Sequence, residues 1–194
     1  MSRSFPMQRA QITLANRLRR VLWGLCWLFL YRPSLRPLHA WRRMLLRLFG
    51  ARIAAGVHPY PGAKIWAPWN LTMETASCIS DGVDCYCVAP VAIGAYATVS
   101  QYSYLCTGSH DYRVPSLPLI IAPIVIEADA WVAAAAVVGP GVRVGTGAIV
   151  GARSTITQDV PAWAVVAGSP ALRRGERPRF ERAADGKIID PEPR

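Results

Sequence analysis

From Ile126 the chain falls into six consecutive blocks of six residues: IEADAW, VAAAAV, VGPGVR, VGTGAI, VGARST and ITQDVP. The first residue of each block is Ile or Val, the second is small or polar, and the fifth is small or Val. A strict period of six with a branched residue in its first slot does not fit the turn of a helix. A short strand broken by a corner every sixth residue does. Counting backwards, Ile93, Val99 and Leu105 keep the step, and Met73, Ile79 and Cys85 repeat it before a two-residue slip near Ala89-Pro90. The expected structure is an all-β, three-sided solenoid in which three blocks complete one coil. First-position aliphatics then point inward and stack about 4.8 Å from their counterparts above and below. A small second residue is expected to permit the tight corner. A core column of Val, Ile and Ala also accounts for a hydrophobic content of 52% with charged residues at only 18%.

Between His110 and Ile124 the period fails: DYRVPSLPLIIAP carries three prolines and no repeat. A solenoid absorbs an insertion by extruding a loop at a corner, and such loops often carry function. His110 is the last residue of the block LCTGSH, at the point where the chain leaves the coil. Imidazole exchanges protons near neutral pH, and a placed general base supplies about 10²–10⁴-fold in rate. A loop histidine capping backbone groups is the alternative reading. Asp111 is a candidate to orient the imidazole, whereas His39 and His58 lie in segments without this context.

Most of the chain, from about Ile53 to Arg174, resembles the left-handed parallel β-helix of the hexapeptide-repeat acyltransferases. LCTGSHDY, PLIIAPIVIEADAWVAA, VGPGVRVGTGAIVGARS and DVPAWAVVAGSPA are similar to the maltose- and galactoside-type O-acetyltransferases. LLRLFGARI and PWNLT bring it nearer the branch named for colanic acid biosynthesis, which acts in exopolysaccharide assembly. The expected organisation is a basic, Trp/Leu-rich helical extension over 1–52, a β-helix over 53–170 with a loop at about 111–123, and a basic, Pro-rich tail over 171–194.

The resemblance implies a homotrimer with acetyl-CoA in the groove between neighbouring solenoids, no required metal, and a sugar or glycan acceptor whose hydroxyl His110 deprotonates. It implies that Trp131 lines the pantetheine arm, that the Ala134 N–H bonds toward the thioester carbonyl, and that Gly151 and Ala152 let the cofactor approach the backbone. Thr157 and Gln158 fall near the nucleotide, where relatives often carry Thr-Lys, and Arg173 and Arg174 are placed to compensate by meeting the CoA phosphates. Acceptor-side candidates are Asp81 and Asp84, with Tyr102 and Tyr104 able to stack on a sugar ring.

Charge is distributed unevenly. Met1 to Met73 holds twelve Lys/Arg and no Asp or Glu, while Glu74 to Pro170 holds three basic residues against seven acids. Basic residues interleaved with Leu and Trp in helix-like segments suit an anionic bilayer surface better than a nucleic-acid groove; a solvated helix face packed on the body is the alternative. VLWGLCWLFLY, Val21 to Tyr31, is apolar for eleven residues, short of the roughly 20 that a spanning helix needs. A secretory leader is the weaker reading of that run, because no small-x-small cleavage site follows it closely. Five cysteines without a CxxC pair are expected to be reduced fillers in a cytoplasmic protein, peripheral on the inner membrane face if the arm touches lipid. N-acetylation of an amino or nucleotide sugar, and a non-catalytic solenoid scaffold, stand as alternatives to O-acetyl transfer. A metal-binding solenoid is disfavoured because two of the three histidines lie outside the central repeat.

Overall fold

The computed structural model describes residues 4–10, 13–183 and 185–189. Its body is a prism of three parallel sheets that the chain visits in turn. The first face stacks Arg52–Ile53, Leu71–Met73, Val91–Ile93, Ile124–Ile126 and Arg143–Val144. The second stacks His58–Pro59, Cys78–Ile79, Thr98–Val99, Trp131–Val132, Ile149–Val150 and Ala164–Ala167. The third stacks Lys64–Ile65, Asp84–Tyr86, Tyr104–Cys106, Val137–Val138 and Thr155–Ile156. Inward residues pair in register down each face: Met73, Ile93, Ile126 and Val144 on the first, Ile79, Val99, Val132 and Val150 on the second, and Cys85, Leu105, Val138 and Ile156 on the third. All of these are buried. Fifth-position Ala97, Ala130, Ala136 and Ala148 are buried with them, so a corner turns around a small inward side chain.

The corner itself differs from the expectation. The left-handed residue stands at the fourth position of the block, not the second: Tyr96, Tyr102, Asp129, Ala135, Gly141, Gly147 and Arg153 all have positive φ. Glycine at the second position answers to crowding between coils. A Cβ on Gly94 would lie 2.6 Å from the Ala128 nitrogen, and one on Gly145 would lie 2.5 Å from the Ala162 nitrogen. Backbone cannot move aside as a flexible side chain can, so Gly94→Ala is expected to cost about 2 kcal/mol, read as a lowered urea midpoint.

The period bends in three places. Met73 and Ile93 are paired although two residues more than three blocks separate them, in keeping with the slip at Ala89-Pro90. Ile53 and Met73 show the same excess, taken up by the single turn Pro68–Asn70. At the other end Val160 bridges to Val144, reaching the core only four residues after Ile156.

Two helices, α1 (Leu14–Cys26) and α2 (His39–Leu48), close the N-terminal end of the prism, joined through a wide turn at Trp27–Tyr31. Along the body, backbone N–H groups of one coil donate to carbonyls of the next, as Ala54 does to Met73 and His58 to Ser77. The strand carbonyls of the first coil therefore have no preceding coil to donate to them, and an unpaired end is costly and prone to edge-to-edge pairing. Arg and Trp, which donate and cannot accept, supply what is missing. Trp23 Nε1 donates to Ile65 O (2.6 Å), Trp27 Nε1 to Ala63 O (2.9 Å), Arg42 Nε to Pro59 O (2.6 Å), Arg43 to Val57 O (2.9 Å) and Arg47 Nη2 to Ile53 O (2.7 Å). Three arginines of this acid-free basic segment thus serve as an end cap. At the opposite end, Leu172–Glu176 pairs antiparallel with Ala164–Ala167 and finishes the second face. No described helix is long and apolar enough to cross a membrane.

Candidate active site

The chain leaves the prism at Thr107 and returns at Ala122, whose N–H donates to Thr107 O (3.0 Å). Between them Gly108–His110 and Leu119–Ile121 form an antiparallel hairpin, and Gln8–Arg9 adds a third strand on its outer side. The extruded segment is thereby an ordered projection from the corner between the third and first faces. Thr107 is buried and fixes the exit: its hydroxyl donates to Tyr86 O (2.7 Å) and accepts from Ala89 N (3.0 Å).

His110 stands exposed on this hairpin with Nδ1 2.6 Å from Leu117 O. A carbonyl can only accept, so Nδ1 carries a proton, and in the neutral ring the lone pair then lies on Nε2. Leu117 holds φ +46°, in the left-handed region, a conformation that costs a bulky residue about 1–3 kcal/mol. The bond Leu117 N to Val114 O (2.9 Å) retains it there. Asp111 does not orient the imidazole. Its carboxylate is taken by Arg113, at 2.8 Å through Nε and 3.2 Å through Nη2, and Arg113 chiefly holds that carboxyl below the ordinary range.

The third face leads up to this hairpin. Strand alternation turns Cys85 and Leu105 inward and Asp84, Tyr86, Tyr104 and Cys106 outward. Tyr104 sits beside Asp84 in register, and Lys64 approaches Asp84 at 3.5 Å. Burial first, then the neighbouring Cys106 thiol, push the Tyr104 phenol up, so it can donate a hydrogen bond but is not a base. The Tyr86 ring lies against Gly108, where an added Cβ would be 3.1 Å from Cε1. Tyr86 and Cys106, two residues from the hairpin strand, were not among the candidates above; the outward alternation of their strands is the signal that marks them.

The remaining candidates follow the opposite edge of the third face. Asp81–Gly82, Gln101–Tyr102, Ala134–Ala135 and Ala152–Arg153 succeed one another at that corner, tied by Tyr102 N to Asp81 O (3.2 Å), Ala135 N to Gln101 O (2.8 Å) and Arg153 N to Ala134 O (2.9 Å). Asp81 is engaged within the chain, accepting from Gly62 N (2.8 Å) and pairing with Arg36 (3.0 Å). Tyr102 lies over Gly82 and is exposed. Gly151 lies in the coil after Ala133, and a Cβ there would lie 2.9 Å from the Ala167 Cβ. Trp131, on the second face, is half-exposed and donates to Ser100 Oγ (2.9 Å). Thr157, Gln158 and Arg173 share a cavity of about 270 Å³ at the C-terminal end of the prism. Arg173 is ion-paired with Glu176, and Arg174 is exposed beside it, outside that cavity. His110 and the Ala134–Ala152 edge thus leave the solenoid at opposite sides of the third face of one chain. Among the described residues there is no group of three or more His, Cys, Asp or Glu that could hold a metal.

Residues 123–158 match the family model described as bacterial transferase hexapeptide (six repeats). WcaF of Escherichia coli (strain K12), whose name proposes a colanic acid biosynthesis acetyltransferase, is 40% identical over 166 residues, covering 86% of this chain and 91% of that protein. The hexapeptide-repeat acetyltransferase VCA0836 of Vibrio cholerae O1 biovar eltor, solved with acetyl-CoA, superposes with a TM-score of 0.77 at 27% identity over 86% of this chain and 91% of that one. A maltose O-acetyltransferase of Clostridium difficile 630 shares the fold, with a TM-score of 0.71 at 16% identity over 86% and 90% of the two chains. The three-faced prism is the left-handed parallel β-helix of these proteins, and the chain belongs to the hexapeptide-repeat acetyltransferases, the family of the colanic acid biosynthesis protein.

Proposed function

We propose that this protein transfers the acetyl group of acetyl-CoA to a hydroxyl of a sugar or exopolysaccharide precursor, with His110 as general base. The observation that carries the reading is the bond from Nδ1 to Leu117 O, which fixes the tautomer and frees Nε2. The hydroxyl proton passes to Nε2 as its oxygen attacks the thioester carbonyl carbon. The resulting oxyanion is stabilised by a backbone donor, a part the Ala134 N–H is suited to. Collapse breaks the carbon–sulfur bond, and the CoA thiolate takes the proton back from the imidazolium. The thioester is already activated, so positioning and the oxyanion donor supply much of what remains.

We place the site between chains of a homotrimer. The position of the histidine and of the Ala134, Gly151 and Ala152 edge at opposite sides of the third face within one chain supports completion of the site by a neighbour's edge. Trp131 then flanks the pantetheine arm, Thr157, Gln158, Arg173 and Arg174 lie toward the nucleotide, and the acceptor lies on the outward side chains of the third face, Asp84 and Tyr104, with Tyr102 at its margin. The unpaired state of all five cysteines suits a reducing compartment, and the reaction is placed in the cytoplasm.

Acetyl-CoA at a hundredfold excess over its dissociation constant is expected to stabilise the protein by about 2.7 kcal/mol, read as a rise in melting temperature. A scaffold would show no shift. Screening sugar acceptors by release of free CoA thiol tests the reaction, and alkaline lability of the product separates an O-acetyl ester from an N-acetyl amide.

A further inference from the structure

The two helices of the cap hold arginines against the prism beside buried Leu45 and Leu46, and leave a row of large apolar side chains outward. On α1, Arg19 lies over the Trp69 ring (4.2 Å), Arg20 over Trp66 (3.9 Å), and Trp23 is buried against the prism. On α2, Arg42 is buried, and Arg43 and Arg47 are bonded to carbonyls of the first coil. The faces left outward are apolar: Leu14 (71% exposed), Leu18, Leu22, Leu25 and Phe29 (66%) along α1 and its continuation, and Trp41, Met44 and Leu48 (76%) along α2. A soluble helix turns its leucines to the core and its arginines to water; here the need for donors at the first coil draws Arg42, Arg43 and Arg47 to the prism and leaves these leucines in water. An apolar patch of this extent on one end of a molecule marks a contact surface.

We propose that this end docks peripherally on an anionic lipid bilayer, the leucine rows entering the acyl boundary. Charge complementarity selects that occupant over a second copy of the chain. Between α1 and the third face lies an open groove of about 580 Å³, lined by Arg17, Arg20 and Lys64 with Trp23, Trp27 and Trp66 and no carboxylate. Lys64 does approach Asp84 at 3.5 Å, but the two arginines have no acidic partner among the described residues. Basic side chains beside exposed leucines match phosphate head groups above acyl chains, whereas two such patches brought together would oppose cation to cation. Docking is independent of the chemistry assigned to His110.

The test is co-sedimentation of the full chain with vesicles of phosphatidylglycerol and phosphatidylethanolamine, against vesicles of phosphatidylcholine alone. The protein is expected to pellet with the anionic vesicles and much less with the neutral ones. The double substitution Leu18→Glu with Leu25→Glu, on exposed positions, is expected to lower the bound fraction about tenfold or more, with elution volume, circular dichroism and the acetyl-CoA thermal shift unchanged. Wild-type protein that stays in the supernatant with anionic vesicles overturns the proposal. So does a double variant that binds as before, or one that changes oligomeric state, which would make the patch a contact between copies.

Discussion

Substitution of His110 by Ala is expected to lower acetyl transfer by about 10²–10⁴-fold, the range a single positioned base contributes, with the fold and acetyl-CoA binding intact. The residue is exposed at a hairpin, and its one described polar bond, to Leu117 O, is lost without burying an unpaired group. His110→Gln is expected to be as inactive, because an amide can occupy the place but cannot hold the proton. Ala152 lies exposed on the opposite edge of the third face, so Ala152→Trp blocks that edge with little expected effect on folding. If the site is shared between chains, each variant is inactive alone, but mixed assemblies regain about a quarter of the sites, those pairing an intact histidine with a neighbour's intact edge. Failure of mixtures to recover, with both variants folded and assembled, would place the whole site in one chain and remove the reason for a trimer. Full activity of His110→Ala would remove the histidine from the mechanism.

Legibility in the sequence followed how local the cause was. The inward columns were plain because each block of six carries its own aliphatic, and the period is a property of consecutive residues. The break at His110 was plain for the same reason. The corner was misplaced because glycine at the second position and glycine at the fourth look alike in VGTGAI. Only the coil packed against Gly145, at 2.5 Å from a would-be Cβ, separates crowding from the left-handed turn at Gly147. The acceptor for His110 Nδ1 was out of reach, since any residue has a carbonyl and nothing in SLPL marks Leu117. Asp111 was drawn away by Arg113, a competition between neighbours that spacing does not rank. The basic arm was read as a surface feature, and composition did not show that Arg42, Arg43 and Arg47 within it are drawn to carbonyls of the first coil, a need set by strand polarity.

That need gives the largest expected effect on stability. Arg42 is fully buried and makes no ion pair with a described carboxylate. Its guanidinium donates through Nε to Pro59 O (2.6 Å), through Nη1 to Ser34 Oγ (2.8 Å) and Leu35 O (2.9 Å), and through Nη2 to Arg36 O (2.5 Å). One planar fork thereby joins α2, the turn before it and the open end of the prism, a task that suits the fixed donor geometry of arginine over lysine. Arg42→Met retains the aliphatic stem but leaves three carbonyls without this donor, that of Pro59 in a buried place, and leaves the cavity of a fully buried guanidinium imperfectly filled. The expected loss is about 3–5 kcal/mol, a large part of the roughly 5–15 kcal/mol that holds a domain folded. Arg42→Lys is expected to recover only part of it, since an ammonium at the end of one stem cannot reach acceptors on both sides of the fork. Urea unfolding followed by tryptophan fluorescence reads the change, because Trp23 and Trp27 donate to the same open end. A loss below about 1 kcal/mol for Arg42→Met, within the net worth of one ordinary hydrogen bond, would mean that the first coil stands without its cap and that the inward arginines answer to something other than its carbonyls.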